Sequence, residues 1–191
     1  MATLPTPCLT EEEYLRLERA AEYKSEFIDG QMIAMSGASL AHARLSIRIA
    51  TRLASQLEGK ACEVFSGDLR VRIPNGRLYT YPDVSVACGP RLTDDSFDTL
   101  ENPVVLIEVL SMSTREYDRG KKHRLYRTIP SLREYLLVDQ YSIQIEQRSR
   151  HSDNTWLIRD FSSLDDEIVL ESISCRFKLR DIYRDVLPDA P

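Results

Sequence analysis

The sequence predicts an α/β fold, a mixed β-sheet flanked by helices and opened by an N-terminal helix and a β-hairpin. Three observations lead there. Two helix-period segments stand at the front, one running to about Glu22 and the other from Leu40 to Leu57. The centre is a series of short strand-like runs, Cys62 to Phe65, Asp68 to Ile73, Asp83 to Cys88 and Val104 to Leu110. A further helix, beginning near Ser113 or Thr114 and ending before Pro130, precedes closing strands at Glu134 to Val138 and Ser142 to Arg148. Elements in this order bury their apolar faces as helices against a sheet. At 191 residues the chain suits one domain, with its core over about 9–183.

Each element has a local cause. Thr10-Glu11-Glu12-Glu13 has the form of a capping box, and Tyr14, Leu15 and Leu17 follow it. Asp29-Gly30 lies between apolar-rich arms, the strongest short-range hairpin signal. Leu45, Ile49, Leu53 and Leu57 form one helical stripe, with Arg44, Arg48 and Arg52 displaced from it and Gly59 closing the helix. Pro74-Asn75-Gly76 reads as a turn, and Arg91 to Asn102 as a polar surface loop. Ile143 and Ile145 alternate with polar residues as in a strand, and Trp156 to Tyr183 reads as short strands and a final turn of helix.

Composition narrows the functional classes. A hydrophobic fraction of 42% and a charged fraction of 29% are those of a soluble globular protein, and no apolar run approaches the roughly 20 residues that span a bilayer. Met1 to Glu13 shows no secretory leader, so the expected compartment is the cytoplasm. Cys8, Cys62, Cys88 and Cys175 are far apart and read as thiols, Cys88 as a small hydrophobe on a strand. The scattered His42, His123 and His151 give no zinc pattern. A net charge of −5 argues against a broad nucleic-acid surface. Positive charge does gather in Arg115, Arg119, Lys121, Lys122, His123, Arg124 and Arg127, with Arg133 just beyond; the plain alternative is a solvated helix face paired with Glu116 and Asp118.

Glu108 stands inside the apolar run Val104 to Leu110. Strand alternation puts it on one face with Leu106 and Leu110, where an unpaired charge carries a desolvation penalty of several kcal/mol. Upstream, Tyr81-Pro82-Asp83 opens another strand, and two carboxylates meeting at strand ends can hold a divalent cation.

Pro82-Asp83 followed about 25 residues later by Glu108-Val109-Leu110 resembles the PD-(D/E)XK nuclease superfamily. More closely, EFIDGQMIAMSGAS, YPDVSVACG, NPVVLIEVLSMST, YDRGKKHRLYR and IPSLREYLLVD, in that order from about Leu9 to Tyr183, resemble the Uma-two family of putative restriction endonucleases. The resemblance implies a restriction-endonuclease-like domain and a magnesium- or manganese-dependent endonuclease acting on DNA. Asp83 and Glu108 would be carboxylate ligands and the Val109 carbonyl a third oxygen. Phosphodiester hydrolysis needs an activated water, charge stabilisation on the phosphate and help for the leaving alkoxide, all of which Mg²⁺ on hard oxygens assists.

Leu110 stands where the superfamily has its lysine. In the resembling family the lysine has moved to the following helix in the pattern Asp-Arg-Gly-x-Lys, here Asp118 to Lys122, so Lys122 takes its place. The structural alternative is an exposed i,i+4 salt bridge from Asp118 to Lys122. Glu26 matches a family glutamate and joins the candidate catalytic residues, against the alternative of a charge flanking the hairpin. Asp68 reads first as a turn-closing aspartate, against a place in the same cleft; His42 as a surface or capping histidine, against one that faces substrate; and Tyr126 as core rather than site. For Asp83 and Glu108 the alternative is a pair of buried structural salt bridges.

Two functions from different classes follow: a metal-dependent DNA endonuclease, or a nuclease-derived binding or regulatory module without turnover. The acidic net charge and Leu110 favour the module; the carboxylates and displaced lysine favour the enzyme. A metal-dependent hydrolase of a small molecule stands third. Analogy with small nucleases implies a homodimer and no membrane partner.

Overall fold

Local sequence signals set the first elements. In the structure, a computed structural model that describes residues 8–73, 78–93, 96 and 98–186, α1 spans Glu11–Ala20. Thr10 and Glu13 close its capping box reciprocally. The hairpin strands β1 (Ser25–Ile28) and β2 (Gln31–Ala34) join through Asp29 and Gly30, both at positive φ (48° and 88°), the two-residue turn that matches strand twist. Helix α2 (Leu40–Leu57) is capped by Ser39 and buries Leu45, Ile49, Leu53 and Leu57, the stripe read from the sequence.

The centre contains β3 (Cys62–Ser66), β4 (Arg70–Arg72), β5 (Leu78–Thr80), β6 (Val84–Cys88), β7 (Thr99–Leu100) and β8 (Val105–Leu110). Next come α3 (Arg115–Tyr117), a π-helical turn (Asp118–Lys122) and α4 (His123–Tyr126). Strands β9 (Glu134–Asp139), β10 (Ile145–Arg150), β11 (Trp156–Phe161), β12 (Glu167–Leu170) and β13 (Cys175–Lys178) lead to α5 (Leu179–Tyr183). The expected turn at Pro74-Asn75-Gly76 lies outside the described residues, as does part of the polar excursion.

Among the described residues the strands divide into three sheets rather than one. A six-stranded sheet has the order β11-β10-β9-β8-β6-β3, a five-stranded sheet the order β2-β1-β5-β4-β7, and β12 pairs with β13. The pairings β8 with β9 and β4 with β7 are parallel, the remainder antiparallel, so the fold is mixed. The sequence showed no separate β5 and no β7. Both are too short, at three and two residues, to display a period.

Alternation along β8 sorts the core. Val105, Ile107 and Val109 face a cluster with the α2 stripe, Phe177 and Ile182. Leu106 and Leu110 face a second cluster with Tyr126, Tyr135, Leu137 and the smaller sheet's Val71 and Leu78. Glu108 shares this second face, so the fold lays its one carboxylate against the layer that holds the π turn and β1.

The cysteine reading needs correction. Cys62 and Cys88 are directly opposed in the β3–β6 register and form a disulfide, while Cys8 and Cys175 are free. A 26-residue separation hides a pairing that only strand register creates.

Candidate functional site

Strand register places the two acids. Val84 pairs with Ile107 in the antiparallel β6–β8 ladder, and one further step sets Asp83 across from Glu108, just where β6 begins. The Asp83 carboxylate uses Oδ2 to accept the Val109 N–H at 2.7 Å. Backbone N–H and C=O of one residue in an antiparallel pair emerge at the same edge, so the Val109 carbonyl also faces the gap left before β6. His42, in the first turn of α2, brings Nε2 to 3.2 Å from Asp83 Oδ2 and also meets the Val109 backbone.

Glu108 is 5% exposed and is met by two donors, Lys122 Nζ at 2.8 Å and the Tyr126 hydroxyl at 2.7 Å, both on Oε1. Lys122 is equally buried. Its ammonium lies 3.0 Å from Glu26 Oε1 and 3.6 Å from Asp118 Oδ1, and the Thr80 hydroxyl donates to the same Glu26 oxygen. Asp118, Lys122 and Tyr126 recur every fourth residue and turn one face inward through the π turn, a feature common at functional sites. The i,i+4 bridge foreseen as the alternative for Lys122 therefore exists, but it is buried and shared with two glutamates.

Charge is unbalanced here: Glu26, Glu108 and Asp118 surround one ammonium, and Asp83 adds its charge beside Glu108. Burial pushes the Glu108 carboxyl up to about 8; Lys122 opposes this, while Asp118 and Asp83 add to it. Burial also raises Asp118, against the pull of Lys122. Lys122 is held well above its ordinary value because Glu108, Tyr126, Glu26 and Asp118 outweigh its own burial. For His42, burial works downward, but the hydrogen bond and charge of Asp83 win and raise it.

Among the described residues no three acidic, histidine or cysteine side chains form a ready-made metal cage. The donors present still fit a hard divalent cation. All described contacts to Asp83 and Glu108 fall on Oδ2 and Oε1, so one oxygen of each takes no described hydrogen bond, and both residues line a cleft of about 1200 Å³. Magnesium needs only one or two carboxylates because it keeps much of its water.

Asp68 is exposed and pairs with Lys24 at 2.5 Å at the cleft rim. Tyr126 is core and also a donor to Glu108. The basic cluster does not form one patch: Arg115 pairs with Asp139 at 2.8 Å, Lys121 with Asp29 at 3.2 Å, and Lys122 turns inward, while Arg124, Arg127 and Arg133 are exposed. Sequence reading missed Asp118 and the contact of His42 with Asp83. The four-residue spacing to Lys122 and Tyr126 was the available signal for Asp118; nothing local signalled the second.

Comparison with known proteins agrees with this arrangement of elements. The chain is 42% identical over 180 residues to the uncharacterized protein slr1290 of Synechocystis sp., covering 94% of each. It is 39% identical over 169 residues to the uncharacterized protein sll1609 of the same organism, covering 88% of this chain and 96% of that one. Among solved structures it resembles the crystal structure of a putative nuclease belonging to DUF820 from Anabaena variabilis, with a TM-score of 0.75 at 19% identity over 94% of this chain and 99% of the other. Residues 11–180 match the family described as "Uma2: Putative restriction endonuclease", and the chain belongs to that family.

Proposed function

We propose that this chain is a divalent-metal-dependent endonuclease that hydrolyses DNA phosphodiester bonds. The observation that carries the reading is Lys122: it comes from the segment after β8, yet its ammonium lies 2.8 Å from Glu108. That supplies from a helical turn the cation that Leu110 cannot supply from the strand.

Asp83, Glu108 and the Val109 carbonyl are the residues that would hold Mg²⁺ or Mn²⁺. Bound there, the ion would lower the barrier by polarising the phosphate and easing water deprotonation. Lys122, itself buried, offsets charge that develops on the attacked phosphate. Glu26 and Asp118 position that ammonium, and Tyr126 fixes the rotamer of Glu108. Cutting both strands of a duplex calls for two such centres, which a homodimer would provide.

The test is nicking of supercoiled plasmid in Mg²⁺ or Mn²⁺. Wild type is expected to nick, and Asp83→Ala, Glu108→Ala and Lys122→Met each to lose at least about a hundredfold, the scale of one removed electrostatic stabiliser. Nicking that ignores all three substitutions would come from a contaminant and sink the reading.

One observation favours a second reading, a nuclease-derived binding module without turnover. Both lysines at the cleft, Lys24 and Lys122, are already held by acids, so neither is free to grip a phosphate backbone. Metal binding and DNA binding without any nicking would select this reading.

A further inference from the structure

We infer that His42 is a nitrogen donor to the cation of this site, so that the centre takes a first-row transition dication such as Mn²⁺ in preference to Mg²⁺. The inference rests on the metal site proposed above and specifies its ion.

The geometry brings His42 to the same two groups assigned as oxygen donors. Its Nε2 lies 3.2 Å from Asp83 Oδ2, and its ring meets the Val109 backbone. Asp83 Oδ2 is engaged by the Val109 N–H and by His42, so an ion held by this carboxylate would sit on its other oxygen, with the imidazole nitrogen already beside that carboxylate and the Val109 backbone.

The histidine is also held in place. Ser39 accepts its backbone N–H at 3.1 Å as the cap of α2, and its side chain is only 17% exposed where it lines the cleft. A surface histidine would stand free of both ligands.

Donor chemistry then sets the preference. Carboxylate, carbonyl and water suit magnesium equally well, whereas an imidazole nitrogen raises affinity for first-row transition ions. Asp83, Glu108 and Val109 alone would make an oxygen site; adding His42 makes a mixed one.

The test uses the full chain and reads binding rather than turnover. Titrations with Mn²⁺ and with Mg²⁺ are expected to show at least about a tenfold preference for Mn²⁺ in wild type, collapsing to within about threefold in His42→Ala. Electron spin-echo spectra of the Mn²⁺-loaded wild type are expected to show modulation from a coordinated nitrogen, lost in His42→Gln.

No nitrogen modulation in the wild type would overturn the inference, and that result needs no variant to fold. So would equal losses of Mn²⁺ and Mg²⁺ affinity in His42→Ala, the outcome expected of a histidine that only pairs with Asp83. Binding that survives Asp83→Ala would instead remove the underlying metal site, so the two failures are distinguishable.

Discussion

Glu108 illustrates what one buried charge imposes on its neighbours. Set between Leu106 and Leu110, it is met by Lys122 and Tyr126, yet burial still holds its carboxyl up to about 8 against an ordinary 4.5. Between those pH values the folded state binds a proton that the unfolded chain has released. The stability from this group is complete below about pH 4.5 and is lost as pH rises through about 8. Without divalent ions, the wild-type melting temperature should therefore fall relative to Glu108→Gln as pH is raised across this window. Parallel profiles for the two proteins would contradict the assignment. Lys122 is the complementary case: Lys122→Met leaves Glu26 buried without its ammonium, and denaturant titration at neutral pH should show a loss of about 3 kcal/mol.

At the scale of elements, the π turn between α3 and α4 aims Asp118 and Lys122 into the cleft. Gly120 sits in that turn without a positive φ, and a Cβ there would meet only the flexible end of Arg124 at 4.0 Å. Gly120→Ala should therefore stabilise the protein by about 0.5–1 kcal/mol, through reduced freedom of the unfolded chain. A measured loss of stability would mean that the turn requires glycine. Elements with a long period or a defined turn were legible in the sequence: the α2 stripe, the Asp29-Gly30 hairpin, the capped α1, and β8 with its carboxylate. What escaped was decided by tertiary pairing. The two-residue β7 exists only through its pairing with β4 and the Leu92–Leu100 bridge, the disulfide arises from the β3–β6 register, and the contact of His42 with Asp83 joins the first turn of α2 to a strand start 41 positions away. Burial of Asp118 was not legible, because composition cannot show which face of a helix is covered.

For the whole molecule, the structure trades a broad basic surface for a local, buried centre. Much of the positive charge of residues 115–133 is spent on internal pairs with Asp139, Asp29 and Glu108, in keeping with a net charge of −5. No helix among the described residues is long and apolar enough to cross a membrane. The Cys62–Cys88 bridge ties the edge strand β3 to β6, the strand that begins beside Asp83. Closing a loop of this length contributes about 3 kcal/mol in the chain-entropy view. Reduction, or Cys62→Ser, should lower the unfolding midpoint accordingly. An unchanged midpoint would show that strand pairing alone holds the edge.

All of these scales meet in the claim that Asp83 and Glu108 jointly hold a divalent cation. Calorimetric titration of Mg²⁺ and Mn²⁺ into the folded protein tests it most directly. Wild type is expected to bind one saturable cation, with binding abolished by Asp83→Ala and by Glu108→Ala alike; an isotherm that either variant leaves unchanged would refute the shared site.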